Sequence, residues 1–263
     1  MNTPAPRIPD GVRIGATLVL SIAQVAATQV HRLGFGEDIG SRAGQSPSLS
    51  TPAGWAFGIW SLIYLGLIAF AVYQALPAHR HDALLRRAGP WTAAAMLLGA
   101  VWAIVAQLQG ITLPTVVILL AMLACALCAL FALRDGAPFR WRVALFVRQP
   151  IGLFAGWVTA AALVNLASWL PNAGGAAEAL RGGAFAALVA LCATLLAGWV
   201  TWRARAPLAY PLAGAWALAG VAAKAAPAGA WLAAVCAGAG AVLLVGLGLA
   251  LALAWRTRPA GVG

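Results

Sequence analysis

Stretches of about twenty apolar residues, separated by short segments that hold nearly all the charge, recur from one end of this 263-residue chain to the other. Roughly twenty such residues in a helix cross the ~30 Å of bilayer hydrocarbon. A helix also satisfies its backbone hydrogen bonds within one segment, as lipid demands. The pattern predicts an all-α fold, a polytopic membrane helical bundle. Composition agrees. With 63% of residues hydrophobic and only 9% charged, the chain could not solvate the surface of a soluble domain of this length.

Eight transmembrane helices are expected, at about 14–30, 53–76, 90–108, 111–133, 149–170, 183–202, 207–224 and 229–255. Turn chemistry marks the breaks: Pro77, Gly89-Pro90, Gly110, Gly136 with Pro138, Pro171 through Gly175, Pro207 and Pro227. Arg7 and Arg13 flank the first span as they would a signal peptide. Its apolar stretch is long for one, and no small-residue cleavage site follows, so it is read as a helix.

The basic residues support the number. With eight spans, Arg7, Arg13, Arg80, Arg86, Arg87, Arg134, Arg140, Arg142, Arg148, Arg203, Arg205, Arg256 and Arg258 share one side. The other side holds Arg32, Arg42, Arg181 and Lys224. Such a bias predicts both termini in the cytoplasm, in a bacterial cytoplasmic membrane. It also accounts for the net charge of +11 without nucleic acid, for which no basic domain exists.

The spans lack acids. Asp10, Glu37, Asp38, Asp82, Asp135 and Glu178 all fall in expected loops or tails, so a proton pump or ion-coupled carrier finds no buried carboxylate. No metal set, catalytic triad or phosphate-binding loop is visible, so no catalytic residue, metal ligand or cofactor is assigned. Cys125 and Cys128 form a C-x-x-C inside an apolar run, where thiols behave as small apolar groups, as do Cys192 and Cys236.

Polar and aromatic residues gather instead. Ser21, Gln24, Thr28 and His31 share one face of the first helix. Phe57, Trp60, Ser61 and Tyr64 share a face of the second, with Trp55 roughly 140° away. Trp102 and Gln109 lie seven apart in the third, near Gln107, while Trp157, Asn165 and Trp169 lie on the fifth. Most fall in the half of helices 1, 2, 3 and 5 beneath the Gly/Ser-rich loop 31–52, a candidate lid. Other tryptophans, Trp91, Trp141, Trp199, Trp202, Trp231 and Trp255, read as interfacial belts, and Lys224 as a snorkelling helix end. Asn165 or Gln24 would serve equally as interhelical glue.

The run Pro52-Ala53-Gly54-Trp55-Ala56-Phe57, with Trp60 and Tyr64, resembles the second-helix signature of the tryptophan-rich sensory proteins, the TspO/MBR or translocator-protein family. Gly156-Trp157-Val158-Thr159 leading to Asn165 is similar to that family's fifth helix. Three departures stand out: the spacing from Trp55 to Trp60 is one residue shorter than in five-helix members, Gly99 replaces the usual Asn before Trp102, and three helices follow the compact family's five. The resemblance implies residues 1–176 as a five-helix core with its lid and 177–263 as an additional three-helix segment. It implies a cavity for porphyrins, sterols or other flat apolar ligands, lined by Trp55, Phe57, Trp60, Tyr64, Trp102, Trp157 and Asn165. Gln24 joins them from the polar face of the first helix. Arg32 or Arg42 would meet porphyrin carboxylates. The expected partners are membrane lipid, a small hydrophobic ligand and, as in many members, a second copy forming a homodimer. The expected function is a membrane ligand-binding sensor or carrier. The alternative is a permease for small organic solutes, with Pro114 and Pro211 interrupting its helices. Oxidative porphyrin chemistry at the aromatic cluster is a weaker third reading.

Overall fold

The computed structural model describes residues 8–45, 48–134, 140–172 and 179–256. Gly136, Pro138, Gly175, Asp135, Glu178, Arg7 and Arg258 lie outside these, as does the side chain of Trp255. Among the described residues there is no strand, and the α-helices are α1 Asp10–Ala27, α2 Ile39–Gln45, α3 Ile59–Ala75, α4 Ala83–Gln109, α5 Leu113–Ala132, α6 Trp141–Val143, α7 Gln149–Trp169, α8 Gly183–Arg203, α9 Ala209–Ala225 and α10 Trp231–Arg256. A 3₁₀ turn, Gly54–Gly58, leads into α3, and a π segment, Ala144–Arg148, joins α6 to α7. Seven of these segments are long and apolar enough to cross a membrane. The eighth long helix, α9, has 17 residues, about 26 Å.

Helix α1 shows how the sequence chooses its neighbours. Its buried residues are Arg13, Thr17, Ser21, Gln24 and Ala27, spaced by three and four along one face. Val12, Val19 and Ile22 point outward. Polar side chains thus face the bundle and apolar ones face away, as lipid requires. Helices α1, α4, α5, α7 and α3 pack in that order around a ring, since α3 returns to α1. Helix α7 also carries α9, which packs with α8 and α10.

The α7–α9 seam rests on two glycines a turn apart. A Cβ at Gly156 would fall well inside contact distance of the Tyr210 carbonyl, and one at Gly152 would overlap the Pro207 ring. Thr159 and Tyr210 hydroxyls meet at 3.0 Å beside them. In α10, Gly240 gives room to Thr194 of α8 and Gly248 to Pro211 of α9, while Gly238 and Gly246 face open space. Two of these four glycines therefore permit close packing within the chain.

Three prolines differ from their expected roles. Pro90 lies inside α4 because Asp82 already caps the helix, accepting from Leu84 N at 2.8 Å. Pro114 sits in the first turn of α5, behind a Thr112–Thr115 capping box, and Pro211 in the first turn of α9. There a missing N–H costs nothing. Neither breaks a span.

Inter-helix contacts fix which ends lie together. Gln107 near the end of α4 donates to Ala27 O at the end of α1, and Thr51 before α3 meets Ser168 near the end of α7. Arg32, Arg42, Arg181 and Lys224 belong to that end. Arg80, Arg86, Arg87, Arg134, Arg140, Arg142, Arg148, Arg203 and Arg205 belong to the opposite one. Arg13 is also there, but it is no solvated flank: it is 2% exposed and clamped between helices.

Candidate functional site

Trp60 stands one residue into α3, and its neighbours come from three helices. Its ring stacks on Tyr64, centroids 5.3 Å apart, and on Trp102 of α4 at 6.1 Å. Trp157 of α7 presents its edge at 6.2 Å, and Phe154, one turn earlier, lies at 6.4 Å. Phe57 closes the group with an edge contact on Trp157 at 5.6 Å. Five expected residues, Phe57, Trp60, Tyr64, Trp102 and Trp157, thus form one aromatic cluster. Phe154 is a sixth member that the sequence reading missed. Its position three before Trp157, on the same helical face, was the available signal.

Gln24 and Asn165 are buried as well, and both carry unpaired atoms. Among the described residues, Gln24 Nε2 and Oε1, Asn165 Oδ1, and the Nε1 atoms of Trp102 and Trp157 have no hydrogen-bond partner. Gln24 lies against α4 at Gly99, where a Cβ would sit 3.9 Å from its Oε1. The amide that the resemblance expects from position 99 is supplied here from α1.

Trp55 does not join the cluster. It is half exposed and sets its ring edge-on to Trp216 of α9 at 4.9 Å. Ser61 and Gln109, expected on inward faces, point outward; the buried amide near the end of α4 is Gln107. Gln107 is a structural staple. It donates to Ala27 O and Ala103 O, both at 2.8 Å, and accepts from His31 N and Nδ1 at 3.0 Å.

The loop above is seated on this staple. Glu37 N and Arg42 Nη2 both donate to Gln107 O, at 3.0 and 3.1 Å, and Arg42 pairs with Glu37 at 3.3 Å. Gly36, with φ +76°, passes so close to the Gln107 carbonyl that no side chain fits. Arg42 therefore holds the loop down, while Arg32 is exposed.

A family model for TSPO-like protein matches residues 13–249. The chain belongs to that family. The match bears out the resemblance read from the Pro52–Tyr64 and Gly156–Asn165 segments, and it runs through all eight long helices of this TSPO-like chain. No curated protein and no solved structure matches it.

In this TSPO-like bundle the aromatic cluster is closed, its rings in mutual contact. A small crevice lies elsewhere, between α7, α8 and α9, lined by Leu163, Val164, Ala190, Ala193, Leu218 and Val221. None of the eight expected site residues lines it. Chemically the cluster offers flat π faces and two indole N–H donors, and the buried Gln24 and Asn165 add one amide donor and two amide acceptors elsewhere on α1 and α7. It has no charge of its own, which suits an uncharged, flat, largely apolar molecule with a few polar atoms.

Proposed function

We propose that this chain is an integral membrane sensor or carrier. It binds tetrapyrrole-like or sterol-like molecules at the Trp60 cluster between α1, α3, α4 and α7. The observation that carries the reading is the set of five unpaired buried atoms on Gln24, Trp102, Trp157 and Asn165. Leaving such a group unsatisfied costs roughly 1–3 kcal/mol. Retaining several inside a bundle is costly unless a partner meets them. A flat ligand supplies both a surface for the Trp60, Tyr64 and Trp102 rings and polar atoms for the amides and indoles. The positive-inside bias supports an orientation with the arginine-rich end in the cytoplasm and the cluster in the outer half of the membrane. Membrane lipid and a second copy of the chain are the further partners in this reading.

Titration of the purified protein with protoporphyrin, followed by tryptophan fluorescence, tests it. Saturable quenching is expected for the wild type. Affinity should fall at least about tenfold, roughly 1.4 kcal/mol, in Trp60→Ala and Asn165→Ala. It should be unchanged in Trp199→Ala, whose ring lies on the exposed face of α8. Solute uptake into proteoliposomes without saturable binding at the cluster would favour the permease instead.

A further inference from the structure

The segment that carries the site into α3 is held by α7 of the five-helix ring and, from outside the ring, by α9. Residues 51–58 make polar contacts with α7 and α9 in sequence. Thr51 Oγ1 meets Ser168 Oγ at 3.2 Å, Ala53 N donates to Gly220 O at 3.0 Å, and Trp216 Nε1 donates to Ala56 O at 2.8 Å. Trp55 adds its ring edge to Trp216. Trp216 and Gly220 are one turn apart and share a face of α9. Gly220 permits the approach: a Cβ there would sit 2.9 Å from the Cβ atoms of both Pro52 and Ala56.

This mount matters because the turn it holds is weak by itself. Gly54–Gly58 is a single 3₁₀ segment with glycine at each end, and such segments have poorer hydrogen-bond geometry than an α-helix. Ala56 is nonetheless wholly buried. The next residue, Phe57, contacts Trp157, and Trp60 follows one turn later. Any displacement of Ala56 is therefore passed directly to two members of the aromatic cluster.

We infer that Trp216 is a positioning residue: through its bond to Ala56, α9 sets the place of Phe57 and Trp60 and so tunes ligand binding at the cluster. The part concerning affinity rests on the proposed function; the part concerning position does not. Helix α9 thereby gives the C-terminal helices a mechanical hold on a site none of whose rings they supply.

Two readouts on full-length Trp216→Phe test this. The substitution keeps a ring for Trp55 but removes the N–H donor. Amide hydrogen exchange in ligand-free protein should speed up across Ala56–Trp60 while α8 and α10 stay unchanged. Protoporphyrin affinity, read from the porphyrin's own absorbance, should fall about five- to tenfold, the effect of one lost hydrogen bond. Gly220→Ala, which pushes Pro52 and Ala56 away, should act in the same direction. Unchanged exchange at Ala56–Trp60 in both variants would overturn the inference, and so would faster exchange with wild-type affinity. If the wild type binds no protoporphyrin, the proposed function fails. Local exchange then decides the positional claim: a rise confined to Ala56–Trp60 supports it, and no rise overturns it.

Discussion

Gly156→Ala is expected to destabilise the bundle by about 3 kcal/mol, the upper part of the usual range for overpacking. Two effects oppose each other. Alanine is the better helix former by about 1 kcal/mol. Its Cβ, however, would overlap the Tyr210 carbonyl and lie 3.0 Å from Ala213 Cβ. The first obstacle is backbone, so no rotamer change relieves it, and α9 must move away from α7. That movement also strains the Thr159–Tyr210 bond. Gly238→Ala is the matched control, because nothing lies within 4 Å of the added methyl. It should be neutral or raise the melting temperature slightly. Thermal unfolding of both variants in detergent, followed by helical circular dichroism, checks the pair. Equal melting temperatures would mean that the α7–α9 seam is not this close.

Gln74→Leu is expected to cost a similar amount, about 3 kcal/mol, by a different route. Arg13 is buried between α1, α3 and α4, where Nη1 donates to Gln74 Oε1 at 2.6 Å and Nη2 to Arg80 O at 2.6 Å. Gln74 in turn donates to Thr17 Oγ1. Asp10 lies 3.3 Å from Arg13 but is engaged by Arg86, whose Nε donates to it at 2.9 Å. Leucine at position 74 removes one of the two acceptors that lie 2.6 Å from a buried guanidinium, and losing a hydrogen bond to a charged group costs about 1.5–3 kcal/mol, with the upper end expected for a charge this buried. Gly89 makes the arrangement tight, since a Cβ there would lie 2.8 Å from Arg13 Cδ. Replacing the charge as well should recover most of the loss, because a buried polar cluster exchanged whole for apolar groups is often neutral. Arg13→Met combined with Gln74→Leu is therefore expected to be more stable than Gln74→Leu alone. A double mutant less stable than the single would contradict the account of this cluster.

Much of this was legible in the sequence because lipid leaves little choice. Apolar runs of helical length between charged loops predicted the long helices nearly to the residue at α7 and α8. The polar face of α1 was legible at Ser21 and Gln24 by its spacing alone, while Thr28 and His31, expected on the same face, lie past the helix end at Ala27. The extension of that face through Thr17 to Arg13 was not legible, because an arginine near a helix start looks the same whether it is solvated or clamped. Only its meeting with Gln74, 61 residues away, distinguishes the two. Gly89-Pro90 read as a break because proline usually ends helices, yet the Asp82 cap outweighed it.

At the candidate site, Trp60 and Tyr64 were placed together by helical phase and Trp102 and Trp157 by the resemblance; the angle separated Trp55 from Trp60, yet the resemblance counted it among the lining residues, and it sits against Trp216 instead. Its partner Trp216 escaped notice. It lies in mid-helix in an alanine-rich run, away from the ends where belt tryptophans sit, and that position was its only signal. The pairing of Gln24 with Gly99 depends on two helices meeting and has no local trace in either.

The proposal that a ligand satisfies the unpaired atoms of the aromatic cluster is tested most directly at the indoles themselves. In ¹⁵N-labelled protein, protoporphyrin should shift the Nε1–H resonances of Trp102 and Trp157 saturably. Those of the exposed Trp199 and Trp231 should stay in place. Shifts confined to the exposed tryptophans, with Trp102 and Trp157 unmoved at saturation, would contradict it.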